Sequence, residues 1–191
     1  MTTHKYETHL HTAETSKCAL SSGPEFARFF KARGYSGIFV TDHFLNGNTT
    51  VPQNLPWPQR IDLFCRGYDA AAREGAAVGL DVFFAWEYSY GWAHFLTYGL
   101  DKQWLLDHPD LLDWHVLDYF DRVHADGGFI VHAHPFRENV DLVHLVPNKT
   151  DAVETINPNR PDLANYQAQQ FAAAFNLPQT AGSDIHATNQ S

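Results

Sequence analysis

Imidazoles and carboxylates recur in this chain at spacings that suit a divalent metal ion. His9-Leu10-His11 ends a short apolar run. In an extended strand side chains alternate, so both imidazoles share one face with Leu10 on the other, and two adjacent imidazoles can hold one ion. Val131-His132-Ala133-His134-Pro135 repeats the spacing, and Gly182-Ser183-Asp184-Ile185-His186 offers Asp-x-His. Asp42-His43 follows Gly37 to Thr41, and Glu87 follows Val82-Phe83-Phe84-Ala85-Trp86. A carboxylate at the end of so apolar a run is costly if buried unpaired, and a bridging position between two cations satisfies it. Each motif has a plainer reading: surface histidines, an Asp cap, a Glu already in water. Five such clusters in one short chain are hard to dismiss as independent accidents. The 12 histidines are scattered from His4 to His186, so they are no tag. Imidazoles placed beside Asp and Glu suit a metal site.

The elements that must position these groups alternate between apolar strand-like runs and helical stretches. Strands are expected at Tyr6–Leu10, Gly37–Val40, Asp81–Trp86, His94–Tyr98, Phe129–Ala133, Ala152–Ile156 and Thr180–Ser183. Helices are expected at Ser22–Ala32, Gln59–Gly79, Asp110–Ala125 and Pro161–Phe175. Ser22 and Glu25 form a capping-box pattern with Pro24 in the first turn. A Pro- and Asn-rich loop spans Asn46–Pro58. The βα alternation argues an α/β protein with mostly parallel strands. Seven short strands suggest a closed or nearly closed barrel, a (β/α)7 arrangement whose chemistry sits at the strand C-terminal ends. Each polar cluster falls at such an expected end.

Length and composition bound the rest. A chain of 191 residues with 44% hydrophobic and 18% charged residues reads as one globular domain. Thirteen basic against 22 acidic side chains leave a net charge of −9. That balance argues against bulk electrostatic binding to nucleic acid or an anionic membrane, and no basic groove is apparent. A small phosphorylated substrate remains compatible if bound cations reverse the local field. Cys18 and Cys65 make no disulfide framework. With no signal-like segment at the N-terminus and no membrane-length apolar run, a cytoplasmic protein is expected.

Taken together, His9-Leu10-His11-Thr12, Thr41-Asp42-His43, Glu87 with His94-Phe95-Leu96, Ala133-His134-Pro135 and Gly182-Ser183-Asp184-Ile185-His186 resemble the PHP (polymerase and histidinol phosphatase) family. The resemblance runs over almost the whole chain, 1–191, in the family's order. It implies a distorted seven-stranded barrel, two or three divalent metals and phosphoester hydrolysis by a metal-activated hydroxide. By that resemblance His9, His11 and Asp184 hold a first metal. Glu87 bridges it to a second held by His94 and His134, and a third sits between Glu14, His43 and His186. The ligand types suit Zn, Mn or Fe without choosing among them. Asp42 and His132 are expected to orient a ligand imidazole or to hydrogen-bond a metal-bound water. Arg137 and Arg160 follow site motifs and can each fork onto a phosphate. Lys17 can face the pocket too, and Trp57, Trp92 and Trp104 can wall it, whereas Trp86 reads as core.

The chain ends soon after His186, which leaves no room for the closing helix common in family barrels. Either the barrel is minimal or a closing segment is missing. The short Pro135–Thr150 loop leaves little room for a substrate-selecting cap, so a small, open pocket with broad activity on small phosphomonoesters (histidinol-phosphate-like or nucleotide-like) is expected. The alternatives are an amidohydrolase-type metal enzyme acting on a C–N or C–O bond and a non-catalytic metal-binding regulatory domain. Cationic side chains beside the metals favour phosphoester chemistry over C–N chemistry.

Overall fold

A computed structural model describes residues 3–137 and 140–189. Seven strands pair in sequence order: β1 (Tyr6–Leu10), β2 (Gly37–Val40), β3 (Asp81–Tyr90), β4 (Ala93–Tyr98), β5 (Phe129–Ala133), β6 (Ala152–Ile156) and β7 (Gln179–Ala181). All pairs are parallel except β3–β4 and β4–β5. The chain beyond β7 returns to β1. Leu10 bridges Ile185, the His11 N–H donates to the Ile185 carbonyl (3.0 Å), and the Thr8 hydroxyl donates to the Ala181 carbonyl (2.7 Å). The sheet is therefore a nearly closed, distorted barrel.

The helices clothe the outside. α1 (Gly23–Ala32) carries the expected capping box, with Ser22 and Glu25 bonded reciprocally. It packs on α3 (Arg66–Val78) over an apolar layer of Leu10, Phe26, Phe30, Ile38 and Val40. A second, aromatic layer gathers Phe44, Phe64, Trp86, Phe95, Tyr119 and Phe120 under α2 (Trp57–Phe64), α4 (Lys102–Asp107) and α5 (Val116–Ala125). α6 (Asp162–Ala174) covers β6. Inside the barrel Leu96, Val131, Ala133 and Ala152 pack with Tyr98, which meets Phe39 edge-on. Polar groups fill the mouth above it.

Several elements depart from the expected pattern. The helix expected over Gln59–Gly79 is two helices broken at Cys65, where the Thr15 hydroxyl takes the Phe64 carbonyl (3.1 Å). The helix expected over Asp110–Ala125 splits into a 3-10 turn at Leu111–Asp113 and α5, which His115 caps by accepting from the Leu117 N–H. α4 is one and a half turns long, too short for a hydrophobic period, and it starts on an Asp101 cap. β7 lies at 179–181 rather than 180–183. β3 runs well past Trp86, because its second half pairs with β4 as a hairpin. Among the described residues no helix is long and apolar enough to cross a membrane.

Candidate metal centre

The hairpin changes how the site is delivered. Glu87 lies inside β3 rather than beyond its end, and His94 is the second residue of the antiparallel β4. Because β4 runs backwards, its start lies at the same barrel mouth as the ends of the parallel strands. His9 and His11 arrive from β1, His43 from beyond β2, His134 from beyond β5, and Asp184 and His186 from beyond β7. Glu87 is fully buried at the centre. Its Oε1 lies 2.7 Å from His94 Nδ1, 3.3 Å from His134 Nε2 and 3.5 Å from His9 Nε2, and its Oε2 lies 2.5 Å from His43 Nδ1. Asp184 Oδ1 lies 3.2 Å from His11 Nε2 and 3.5 Å from His9 Nε2.

Two of these residues sit on backbone that L-residues seldom adopt: φ is 29° at His134 and 51° at Asp184. Such torsions cost about 1–3 kcal/mol and persist where the surroundings impose them. The Asn159 side-chain amide donates to the Ser183 and Asp184 carbonyls (2.8 Å each), which holds the second kink. The first kink separates His134 from His132. Strand alternation alone would put both imidazoles on one face. Instead His134 turns into the mouth, whereas His132 packs outward against Phe95 and Phe171, 4.7 and 6.3 Å between ring centroids. Neither ring nitrogen of His132 has a hydrogen-bond partner. It therefore orients no ligand imidazole, contrary to the expectation for it. Burial pushes its pKa down to about 3.

Asp42 acts at one remove. Its carboxylate accepts from the Thr12 N–H (2.6 Å), the Thr12 hydroxyl (2.7 Å) and the Ser16 hydroxyl (2.7 Å). Ser16 Oγ in turn lies 3.4 Å from His11 Nδ1 and accepts from the His43 N–H (3.1 Å). Glu14 is not brought into the cluster. Its carboxylate accepts from the Gly23 N–H (3.0 Å) at the start of α1, where the helix dipole favours an anion.

Glu154 was not anticipated, although a lone carboxylate inside the apolar run Ala152–Ile156 carries the same signal as Glu87. It is buried on β6, with Oε1 2.8 Å from His9 Nδ1 and Oε2 accepting from the His134 N–H (3.1 Å) and the Asn157 amide (2.9 Å). A carboxylate accepts only, so His9 Nδ1 donates, and the Nε2 lone pair is left for the cluster. Gly182 makes room for this contact: a Cβ there would meet Glu154 Oε1 at 2.4 Å and His9 Cβ at 2.6 Å.

The charges are balanced within the cluster. Burial pushes the Glu87 and Asp184 carboxyls up, but the imidazoles around them win and hold both well below the usual range. Burial likewise pushes His9 and His43 down, yet Glu154 and Asp184 raise the first and Glu87 raises the second, to about 10. His11 goes the other way, to about 3, through burial and the His43 charge.

Among the described residues four sets of three side chains bring one potential ligand atom each within 4.8 Å of one another: His9–His11–Asp184, His43–Glu87–His94, His11–His43–His186 and His9–His134–Glu154. The first is the expected trio. The others share His43, His11 and Glu154 differently from the expectation. His43 Nδ1 and Glu87 Oε2 face each other as an ion pair at 2.5 Å, and His134 Nε2 is buried 3.3 Å from Glu87 Oε1 without a formed hydrogen bond, so an ion there would give that nitrogen the partner it lacks. Imidazole nitrogens with carboxylate oxygens fit Zn, Mn or Fe ions.

Above the cluster opens a cavity of about 400 Å3 whose walls include Cys18, His43, Trp92, Arg137, Arg160 and His186. Arg160 pairs with Asp184 Oδ2, and an Arg137 Nη1 lies 3.5 Å from His94 Nδ1. Lys17 is exposed and is not part of this wall. Trp57 and Trp104 turn elsewhere, their indole N–H groups bonded to the Leu105 carbonyl and the Asp126 carboxylate, and Trp86 is core.

No protein-family model and no curated protein matches the sequence. Solved structures do match. One is a two-domain protein of Bacteroides vulgatus ATCC 8482 containing an inferred PHP-like metal-dependent phosphoesterase, at 20% identity and TM-score 0.70 over 98% of this chain. The chain spans about half (53%) of that protein. A second, from Bifidobacterium adolescentis ATCC 15703, is named by inference as a metal-dependent phosphoesterase. It matches at 13% identity and TM-score 0.66 over 99% of this chain and 90% of its own. A third, an amidohydrolase of Chromobacterium violaceum with bound sulfate and no metal, matches at 14% identity and TM-score 0.67, covering 97% and 88%. The barrel described above is thus a PHP-type fold.

Proposed function

We propose that this PHP-type barrel is a metal-dependent hydrolase, and specifically a phosphoesterase acting on small phosphomonoesters. The observation that carries the reading is the pair of guanidinium groups, Arg137 and Arg160, on the cavity wall over the histidine–carboxylate cluster. The groups placed to hold ions are His9, His11 and Asp184; Glu87 with His94, His43 and His134; and His11, His43 and His186, where His11 and His43 recur and, as neutral imidazoles, would each serve one ion at a time. Bound there, divalent ions would supply charge to a phosphoryl oxygen and lower the pKa of water.

The chain's own residues do the rest. Glu87, central to the cluster, is the natural bridge between ion positions. Arg160 reaches Asp184 and can turn its remaining N–H groups to a phosphate, forking two parallel hydrogen bonds onto its oxygens. Arg137, beside His94, approaches the cluster from the other side. The cavity is open and small, which suits a small ester rather than a polymer. The class of the Chromobacterium amidohydrolase keeps C–N hydrolysis as the rival reading.

The test is elemental analysis of untagged protein together with hydrolysis of a panel of phosphomonoesters and diesters with added Mn or Zn. Wild type, Glu87→Ala and Arg160→Ala are compared. Two or three metals per chain are expected, with turnover that collapses in Glu87→Ala and a raised KM in Arg160→Ala. Full metal loading with no phosphoester turnover would transfer the case to amide substrates. No stoichiometric metal after reconstitution would remove the centre itself.

A further inference from the structure

The His11–His43–His186 position stands apart from the others because its trio contains no carboxylate. The three rings stack closely, with His11 4.2 Å from His43 and 4.5 Å from His186 between centroids. Glu14, expected to complete this position, is bonded to the start of α1 instead. The side chain that does face it is Cys18. Its Sγ lies 3.2 Å from His43 Nε2, and it also hydrogen-bonds His186.

The thiol is held in place rather than carried on a loose loop. The Lys17 N–H on one side of it donates to the Asn48 carbonyl (2.9 Å), and the Ala19 N–H on the other donates to the Ser16 carbonyl (3.2 Å). The Leu20 N–H then donates to the carbonyl of His186 itself (2.7 Å). The backbone thus ties the cysteine to the histidine segment it would share an ion with.

We propose that Cys18 is a sulfur ligand at this position, which makes it a Cys–His site that takes a borderline-soft divalent ion such as Zn, Co or Fe in preference to Mg or Mn. This rests on the metal-centre reading above. On a tetrahedral ion with a metal–sulfur bond near 2.3 Å and metal–nitrogen bonds near 2.0 Å, the N···S edge is roughly 3.5 Å. The present 3.2 Å contact therefore needs only a few tenths of an ångström of adjustment. On binding, the S–H bond releases its proton to solvent and the sulfur electron pair forms the metal–sulfur bond. No oxidant or reductant enters. Thiolate is the ligand type that discriminates softer ions from Mg and Mn. The other thiol, Cys65, is buried among apolar side chains away from the cluster and serves as an internal control.

The experiment is Co(II) titration of metal-stripped, untagged protein followed by absorption spectroscopy, on wild type, Cys18→Ser and Cys65→Ser. Visible d–d bands report Co(II) in any ligand set. A near-ultraviolet sulfur-to-cobalt charge-transfer band reports the thiolate. Wild type and Cys65→Ser are expected to show both. Cys18→Ser should keep the visible bands, lose the charge-transfer band, and bind one equivalent about tenfold or more weakly. Visible bands without a sulfur band in wild type, or a sulfur band that survives in Cys18→Ser, overturn the assignment and leave the metal centre standing. No Co(II) binding to wild type overturns both. As a second readout, Co(II) should protect Cys18 from iodoacetamide in wild type. Equal alkylation with and without Co(II) counts against the sulfur ligand.

Discussion

Replacing Glu154 by Gln alters one atom and inverts the hydrogen-bond logic around His9. Glu154 Oε2 accepts two bonds, from the His134 N–H and the Asn157 amide, while Oε1 accepts from His9 Nδ1. Gln can keep the first two by placing its oxygen at the Oε2 position. Its NH2 group then faces His9 Nδ1, which must become an acceptor, so the imidazole proton moves to Nε2. That nitrogen points at the cluster, 3.2 Å from His11 Nε2 and 3.5 Å from both Glu87 and Asp184. An ion bound at Nε2 would force the proton back to Nδ1, against the Gln NH2 group, where wild type has a carboxylate to accept it. The opposite amide orientation sets the NH2 group against two N–H donors. Either way the variant should bind Zn or Mn about 10–100-fold more weakly, the usual cost of losing a carboxylate behind a ligand histidine. That corresponds to about 1.4–2.7 kcal/mol. Competition against a chromogenic chelator measures the affinity, and circular dichroism of the metal-free variant checks the fold. A folded Glu154→Gln protein with wild-type affinity would falsify the assigned tautomer and, with it, the role given to Glu154.

Tyr119→Phe removes a hydroxyl that accepts from the Trp86 indole (2.8 Å) and pairs with Thr97 (2.7 Å) in the buried aromatic layer. It should cost about 1–3 kcal/mol in urea unfolding while leaving metal content unchanged; a neutral result would mean those groups find other partners. Gly67→Ala places a Cβ 1.9 Å from Thr12 Oγ1 and 2.7 Å from Asp42 Oδ2, both fixed by their mutual hydrogen bonds. It should destabilise by about 1–3 kcal/mol or more and loosen His11 through Ser16, so wild-type stability would show that this network is soft. The metal-free protein should be most stable near pH 6.5. His43, raised from 6.5 to about 10, and His9 and His186, also raised, contribute stability that is complete below 6.5 and lost as pH climbs, while Cys18, lowered from 9 to about 6, offsets one of them between pH 6 and 9. His11 and His132, lowered to about 3, bind protons only when unfolded between pH 6.5 and 3, so stability also falls on the acid side. Thermal unfolding between about pH 5 and 10 checks this, and a midpoint that keeps rising above pH 7 contradicts it.

How much of this was legible in the sequence follows from range. Period-two alternation and short apolar runs placed β1, β2, β5 and β6 to the residue, because those signals are local. The histidine–carboxylate clusters that meet at the barrel mouth were legible for the same reason, since each lies within a few residues of a strand. What failed depends on tertiary partners. Alternation equates His132 with His134 until the positive φ at His134 separates them. The Glu14 position came from the family resemblance, yet the α1 N-terminus competes for its carboxylate. Cys18 is silent as a residue type, and only the backbone ties of its loop to Asn48 and His186 bring it to the imidazoles. The break at Cys65 likewise depends on Thr15, far away in sequence.

The β3–β4 hairpin sets an order of assembly. Glu87 and His94 lie on strands joined by the two-residue turn Gly91-Trp92. A hairpin of this kind closes in about 1–10 μs, without waiting for any helix to cross. His9 and Asp184, by contrast, come from opposite ends of the chain and meet only when the barrel shuts through Leu10 and Ile185. The centre therefore has an early half, held by local contacts, and a late half that reports closure. An ion captured during folding would meet the Glu87–His94 half first, and its grip would tighten only as the two ends of the sheet come together.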